Sequence, residues 1–150
     1  MANSVTAEQA LTQRIVEGIP LAEAMRFNID QLGERSISVS APLGHNINVH
    51  GTGFAGSLYS TATLAAWSLT THVLNQANIQ ADVVMAKAEI RYKRPVNADI
   101  HCYCESDATM LTAFFDQLST QGRGRLPLQV NIGNPVAAIL QASMVATLKD

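Results

Sequence analysis

Gly51, Gly53 and Gly56 stand just before a long segment of uncharged, helix-forming residues. Glycine lets a ligand approach the backbone closely, and the first turn of a helix has unpaired NH groups that attract negative charge. The junction between these glycines and the helix is therefore the predicted site of chemistry, with an oxyanion or a phosphate as its ligand.

The same three glycines have the Gly-x-Gly-x-x-Gly spacing of dinucleotide-binding proteins, which offers a second interpretation. That fingerprint should follow an apolar strand and introduce further alternating helices and strands. Here it follows the polar residues of segment 45–50, and the C-terminal half of the chain has the pattern of hairpins. Nucleotide binding is therefore the weaker interpretation.

Four polar side chains near the junction join Gly56 as candidate site residues, namely Asn48, His50, Ser60 and Thr63. His50 can act as a base near neutral pH, although a loop histidine bonded to backbone is the alternative. Asn48 can orient a water or hold a carbonyl group, or it can simply cap the turn. Ser60 and Thr63 lie one turn apart on the helix, where hydroxyls often bond to a carbonyl of the preceding turn.

The helix that would position these residues is predicted within a long segment that has no charged residues. Residues 36–81 contain no Asp, Glu, Lys or Arg, although charged residues make up 15% of the chain. Within segment 54–74 the apolar residues fall on every side of a helical wheel, which predicts a helix buried all round. Eight Ser, Thr and His residues dilute this segment too much for a membrane span.

The remaining elements follow from periodicity and caps. Thr6 and Gln9 form a capping box for a helix that ends at Gly18, and Asp107 caps a second helix that ends at Gly122. A short helix is predicted at 21–27. Strands are predicted at 36–42, with residues 27–29 as hairpin partner, and at 82–94, 100–105, 126–132 and 136–148. A turn at 95–99 is predicted to pair segment 82–94 with segment 100–105. In segment 82–94 the alternation predicts one wet face and an inner face of Val84, Ala86, Ala88, Ile90 and Tyr92.

An antiparallel sheet that curls around one long central helix accommodates this order of elements. We therefore predict an α+β fold in a single domain of residues 1–150, with a peripheral N-terminal helix at 1–18. Such a sheet leaves edges unpaired, so two copies are expected to pair edge to edge.

Composition limits the classes of partner. The net charge of -2 and the pI near 6.0 give no electrostatic reason to expect nucleic acid or an anionic membrane. The N-terminus lacks the pattern of a signal peptide, which predicts a cytoplasmic protein. Cys102 and Cys104 would share one face of a strand and are expected to be buried thiols; a zinc site would need a second ligand pair that the sequence does not supply.

One long motif resembles a known family. Asn46-x-Asn48-x-x-Gly51-Thr52-x-Phe54-Ala55-Gly56-Ser57-Leu58-Tyr59-Ser60, followed by Trp67, is similar to the hotdog-fold thioesterase domain (YiiD C-terminal-like) that is often fused to a GNAT acetyltransferase. Segment 90–96 is similar to a strand end of many hotdog thioesterases, and the resemblance extends from Ile19 to Leu148. It implies a hotdog fold, paired protomers, and an acyl-thioester site at their interface near the start of the central helix.

The resemblance also implies roles for individual residues. Hydrolysis of a thioester requires a donor for the oxyanion, and the NH of Gly56 suits that role. The chain departs from the better understood hotdog enzymes at Thr63, where many of them carry Asp or Glu, and at Phe54, where some relatives carry His. The substrate implied is an acyl-CoA or an acyl-carrier-protein thioester, with coenzyme A as part of the substrate and no further cofactor.

Basic residues provide a candidate site for the phosphates of coenzyme A. Lys93 and Arg94, together with Arg91, Arg123 and Arg125, make up half of the ten basic residues, and they are gathered at predicted strand ends that could lie near one another. We expect Lys93 and Arg94 to bind the phosphates. The alternative is a solvated strand end, which is common.

Three other functions remain open at this level. The chain could be a module that binds acyl-CoA without cleaving it, which the missing helix carboxylate favours. It could be a dehydratase of the same fold, although no pair of His and carboxylate has suitable spacing. It could also serve assembly alone, as a homodimer or a tetramer.

Overall fold

A computed structural model describes residues 4–150, arranged as four α-helices and six strands in this region. The bounds in chain order are α1 Ala7–Gly18, α2 Pro20–Ala24, β1 Asn28–Leu32, β2 Ser36–Ala41, α3 Ala55–Gln76, β3 Ala81–Tyr92, β4 Ile100–Glu105, α4 Ala108–Gln121, β5 Arg123–Ile132 and β6 Ala138–Leu148.

The six strands form one sheet in the order β1-β2-β4-β5-β6-β3, and neighbouring strands are antiparallel. The long helix α3 contacts β2, β3, β4, β5 and β6, so the sheet wraps around it. The predicted α+β architecture, an antiparallel sheet around one central helix, is confirmed.

One face of α3 is less covered than the sequence predicts. Thirteen residues of the helix are buried, as an apolar wheel requires. However, Gly56, Tyr59, Ser60, Thr63 and Trp67 are only half-buried, and their spacing of three and four places them on one side. We call these five residues the open face of α3. The prediction of a helix buried all round is therefore wrong for this face.

The edge strand β3 contains a β-bulge between Met85 and Lys87. The bulge reverses the alternation, because one extra residue moves the following side chains to the other face. Val84 and Ala86 were predicted to face inward but are exposed, whereas Ala88 and Ile90 remain half-buried. A uniform period of two along this strand is therefore wrong.

Two predicted connections also differ. Residues 95–99 do not close a hairpin, because β4 pairs with β2 and β5 while β6 pairs with β3. The short second helix stops at Ala24 rather than at residue 27, since Arg26 adopts a positive φ of 58° and redirects the chain into β1. The hairpin of β1 with β2 is confirmed.

The caps are confirmed where hydrogen bonds define them. Thr6 and Gln9 exchange both bonds of the capping box, Asp107 accepts from the first turn of α4, and Gly122 ends that helix with φ of 74°. The helix predicted at 1–18 begins at Ala7, and residues 1–3 of that prediction lie outside the described residues.

Cys102 and Cys104 are free and buried on the inner face of β4, as predicted. Burial, together with the neighbouring Cys104, raises the pKa of the Cys102 thiol, and burial raises the pKa of Cys104 to about 12. Both groups are therefore protonated near neutral pH. Among residues 4–150, no helix is both long and apolar enough to cross a membrane.

Candidate functional site

The loop before α3 is organised by the side chain of Asn48. Its Oδ1 accepts hydrogen bonds from the NH groups of His50 (2.9 Å) and Thr52 (3.1 Å). Its Nδ2 donates to the Thr52 hydroxyl (2.9 Å) and to the Gly53 carbonyl (3.4 Å). Both ends of the amide are thus engaged within the loop, which matches the turn-capping alternative for Asn48.

A second asparagine fixes the loop to the rest of the fold. Asn46 is 3% exposed, and its Nδ2 donates to the carbonyls of Met25 (2.9 Å) and Pro42 (2.8 Å). Its own backbone carbonyl accepts from the NH of Phe54 (2.8 Å), and Gly53 donates to Val96 (2.8 Å). The chain therefore enters α3 from a position determined by buried backbone contacts.

The first turn of α3 presents backbone donors. Phe54 is the N-cap and offers no side-chain cap, and its carbonyl accepts from the NH groups of Ser57 (2.9 Å) and Leu58 (3.0 Å). Among the described residues no acceptor pairs with the NH groups of Ala55 and Gly56. A helix start of this kind can bind an anionic oxygen.

The ring of Phe54 lies against Gly56. A Cβ built on Gly56 would be 2.5 Å from Cε2 of Phe54 and 3.0 Å from its Cζ. The space beside the glycine is therefore occupied by an exposed aromatic ring, whereas the sequence suggested an open approach for a ligand. Phe54 is 53% exposed, so the ring can move away without opening the core.

Tyr92, at the end of β3, reaches the same helix turn. Its hydroxyl donates to the carbonyl of Ala55 at 2.8 Å. Partial desolvation, and then the neighbouring Tyr59, raise the pKa of Tyr92. The alternation in segment 82–94 predicts only an inward-facing place for Tyr92. Its place in segment 90–96 of the family resemblance is the one signal in the sequence for a role at the site.

Ser60 and Thr63 line an apolar groove between α2 and α3. The Thr63 hydroxyl donates to the Tyr59 carbonyl (2.8 Å), the bond to the preceding turn that was the alternative for this residue. The groove has a volume of about 260 Å³. Its lining comprises Ile19, Leu21, Ala22, Met25, Tyr59, Ser60, Thr63 and Leu64.

His50 is exposed on the outer side of the loop, beside Val49, which is 95% exposed. Its backbone NH is bonded to Asn48, and within residues 4–150 no hydrogen bond involves its ring. The imidazole is thus available for a ligand but is not fixed to the helix start.

Lys93 and Arg94 follow β3, and both of their NH groups donate to the Ala137 carbonyl. Their side chains line different depressions: Lys93 a small one of about 250 Å³ with Glu89 and Arg91, and Arg94 a cleft of about 570 Å³. The cleft also contains Asp99, His101 and the turn at 133–135.

Arg123 and Arg125 do not join this group. The strand β6 pairs with both β3 and β5, so it relates the arginines of these two strands. Arg91 of β3 lies opposite Ile139 of β6. Arg125 and Arg123 of β5 lie opposite Val145 and Thr147 of β6. Six to eight residues of strand separate them, roughly 20–26 Å. The expectation that all five basic residues gather in one place is wrong.

The dinucleotide interpretation is not supported by the fold. A dinucleotide fingerprint needs a parallel strand-helix-strand unit. Here the glycines lie in a loop before α3, and each strand pairing among the described residues is antiparallel.

Comparisons with known proteins agree with the fold. A family model described as "Putative thioesterase (yiiD_Cterm)" matches residues 8–146. A putative thioesterase from Shewanella oneidensis is 28% identical, with a TM-score of 0.83 over 95% of this chain and 97% of that chain. A protein of unknown function from Chlorobaculum tepidum is 26% identical, with a TM-score of 0.86 over 97% and 99%.

A thioesterase from Haemophilus influenzae has a similar structure at lower identity. It is 15% identical, with a TM-score of 0.75 over 97% of this chain and 93% of that chain, so its likeness bears on the fold alone. These structural neighbours confirm the predicted hotdog fold.

Proposed function

Because the chain belongs to the putative thioesterase (yiiD_Cterm) family, we propose that it hydrolyses acyl thioesters of coenzyme A or of an acyl carrier protein at the start of α3. The observation that carries this proposal is the pair of unpartnered NH groups at Ala55 and Gly56, close to an apolar groove on the same helix. A thioester has the two matching parts, a carbonyl that becomes an oxyanion and an apolar chain.

In the proposed reaction, water adds to the thioester carbonyl and the carbon–sulfur bond then breaks. The oxygen becomes an oxyanion in the tetrahedral intermediate, and the NH of Gly56 stabilises it. The products are the carboxylic acid and the thiol, which takes a proton. We assign activation of the water to His50, whose ring has no protein partner among residues 4–150, and positioning of the loop to Asn48.

The acyl chain is assigned to the groove between α2 and α3. Ser60 and Thr63 lie on the groove wall, about one and two helical turns beyond Gly56, and the rest of the wall is apolar. Burial of each methylene group there contributes about 0.8 kcal/mol. A steady-state screen over acyl-CoA chain lengths, with mass measurement of bound ligand, tests this assignment, because a chain too long for the groove should lose affinity.

We assign the phosphates of coenzyme A to Lys93 and Arg94. Both residues are exposed at the end of β3, and Tyr92 links this strand end to the first turn of α3. A ligand whose carbonyl lies at the helix start can therefore extend its polar end toward them.

Replacing Lys93 and Arg94 together with Ala is expected to raise the Kd for acyl-CoA and to flatten its dependence on salt, because screened charge attraction is lost. The matched control is Arg123→Ala with Arg125→Ala, which removes the same charge at the other end of the sheet. The Kd is measured by isothermal titration calorimetry at salt concentrations between about 50 and about 500 mM, over which exposed charges become strongly screened. An equal effect of both double variants would contradict the assignment.

The working unit that we propose is a homodimer. The outer edge of β3 has no neighbouring strand in the described residues, and the open face of α3 leaves Tyr59, Thr63 and Trp67 half-buried on the same side. Pairing of two copies would cover both features. A tetramer could form from two such dimers.

Light scattering at micromolar concentration is expected to give twice the mass of one chain, or four times for a tetramer. Tyr59→Arg should shift this equilibrium toward monomer, because it places a charge on the open face. A wild-type monomer at that concentration would rule out the dimer.

One observation favours a second function, an acyl-CoA-binding module that does not cleave its ligand. The helix α3, Ala55–Gln76, carries no Asp or Glu. Bound acyl-CoA recovered intact after long incubation would identify this second function.

As the compartment we propose the reducing cytoplasm, with which the free thiols of Cys102 and Cys104 are compatible.

A further inference from the structure

Tyr92 makes a contact that the proposed chemistry does not yet use. Its hydroxyl donates to the carbonyl oxygen of Ala55 at 2.8 Å, although 37 residues separate the two in the chain. The side chain is 46% exposed, so the ring fills little of the core. The hydroxyl contact is thus the distinctive feature of this residue.

The accepting carbonyl belongs to a particular peptide group. The carbonyl of Ala55 and the NH of Gly56 are the two ends of one planar, conjugated unit. A hydrogen bond to the oxygen of an amide polarises the whole unit and makes its NH a stronger donor, as in cooperative chains of hydrogen bonds. Tyr92 therefore acts on the same NH group that is proposed to bind the oxyanion.

Contacts of the loop before α3 restrict the geometry of this hydrogen bond. The loop before α3 is fixed by Asn46 and Asn48, so the peptide between Ala55 and Gly56 has little freedom to rotate. Partial desolvation, and then Tyr59, raise the pKa of Tyr92, so its phenol remains a protonated donor near neutral pH. Because a protonated phenol donates its hydrogen bond to the Ala55 carbonyl, it makes the NH of Gly56 a stronger donor.

We propose that Tyr92 is a positioning residue for thioester hydrolysis, which orients and polarises the Ala55–Gly56 peptide so that the NH of Gly56 stabilises the oxyanion. The inference rests on the proposed function. It adds a residue on β3 to a site otherwise built from the loop and α3.

The first test is Tyr92→Phe, which removes the hydroxyl and keeps the ring. The expected result is a roughly 10-fold fall in kcat with little change in KM, smaller than the loss of a direct oxyanion donor. Tyr103→Phe is the matched control, because its hydroxyl bonds to Glu105 on the exposed side of β4. A wild-type kcat for Tyr92→Phe would overturn the inference.

A graded series separates polarisation from a purely structural role. Replacing Tyr92 with 3-fluorotyrosine and 3,5-difluorotyrosine makes the phenol a stronger donor with almost no change in shape. At a pH where these phenols are protonated, kcat should rise along the series. A kcat that is flat or falls would overturn polarisation by Tyr92.

A measurement without turnover distinguishes failure of the inference from failure of the proposed function. The amide proton of Gly56, observed by NMR in the 150-residue chain, should shift upfield in Tyr92→Phe and stay unchanged in Tyr103→Phe. If the wild type releases no thiol, the proposed function fails, and this shift still decides whether Tyr92 polarises the peptide. An unchanged Gly56 resonance would reject the inference by itself.

Discussion

Gly56→Val is expected to lower kcat/KM for acyl thioesters by at least about 100-fold, the cost of losing one oxyanion donor. A Cβ at this position would lie 2.5 Å from Cε2 of Phe54. A branched side chain must therefore displace the ring and occupy the space beside Gly56 through which a thioester would approach the backbone. The core is not altered, since Phe54 is exposed.

The control for this variant is Gly44→Val, because a Cβ at Gly44 meets no atom within 4 Å. Turnover is measured by thiol release, and the fold by circular dichroism and light scattering. Turnover of Gly56→Val close to that of Gly44→Val, with both proteins folded, would place the chemistry away from the start of α3.

Asn48→Ala is expected to lower turnover by about 100-fold, the effect of a small displacement of catalytic groups. The side chain makes four hydrogen bonds inside the loop, to His50, Thr52 and Gly53. Without them the loop can move, and both the backbone of His50 and the helix start lose their positions. The effect is on kcat/KM and is accompanied by a small loss of stability.

Asn75→Ala is the control for Asn48→Ala, because Asn75 is exposed at the other end of α3. Steady-state kinetics and thermal unfolding should be measured on both variants. If Asn48→Ala keeps wild-type turnover, the loop does not position the site.

Much of the fold is predictable because local chemistry determines it. The uncharged segment at 36–81 predicts the buried helix, and Thr6, Asp107 and Gly122 define helix ends by hydrogen bonds within a few residues. The family motif at 46–60 places the candidate site at the start of α3, and the matching family model covers residues 8–146.

The features that were missed depend on distant parts of the chain. Whether β4 follows β3 as a hairpin depends on β6, which takes the position beside β3. The bulge after Met85 changes which side chains face inward, although alternation in the sequence continues through it. The bond between Tyr92 and Ala55 joins two elements across 37 residues, so no local pattern predicts it.

We propose above all that a thioester bond is hydrolysed at the start of α3. The most direct measurement is single-turnover thiol release from an acyl-CoA by excess wild-type protein, beside the same reaction with Gly56→Val. We expect stoichiometric release of coenzyme A and free acid by the wild type, and release by Gly56→Val slower by about 100-fold or more. Binding of acyl-CoA by the wild type with thiol release no faster than in buffer would contradict hydrolysis at this site.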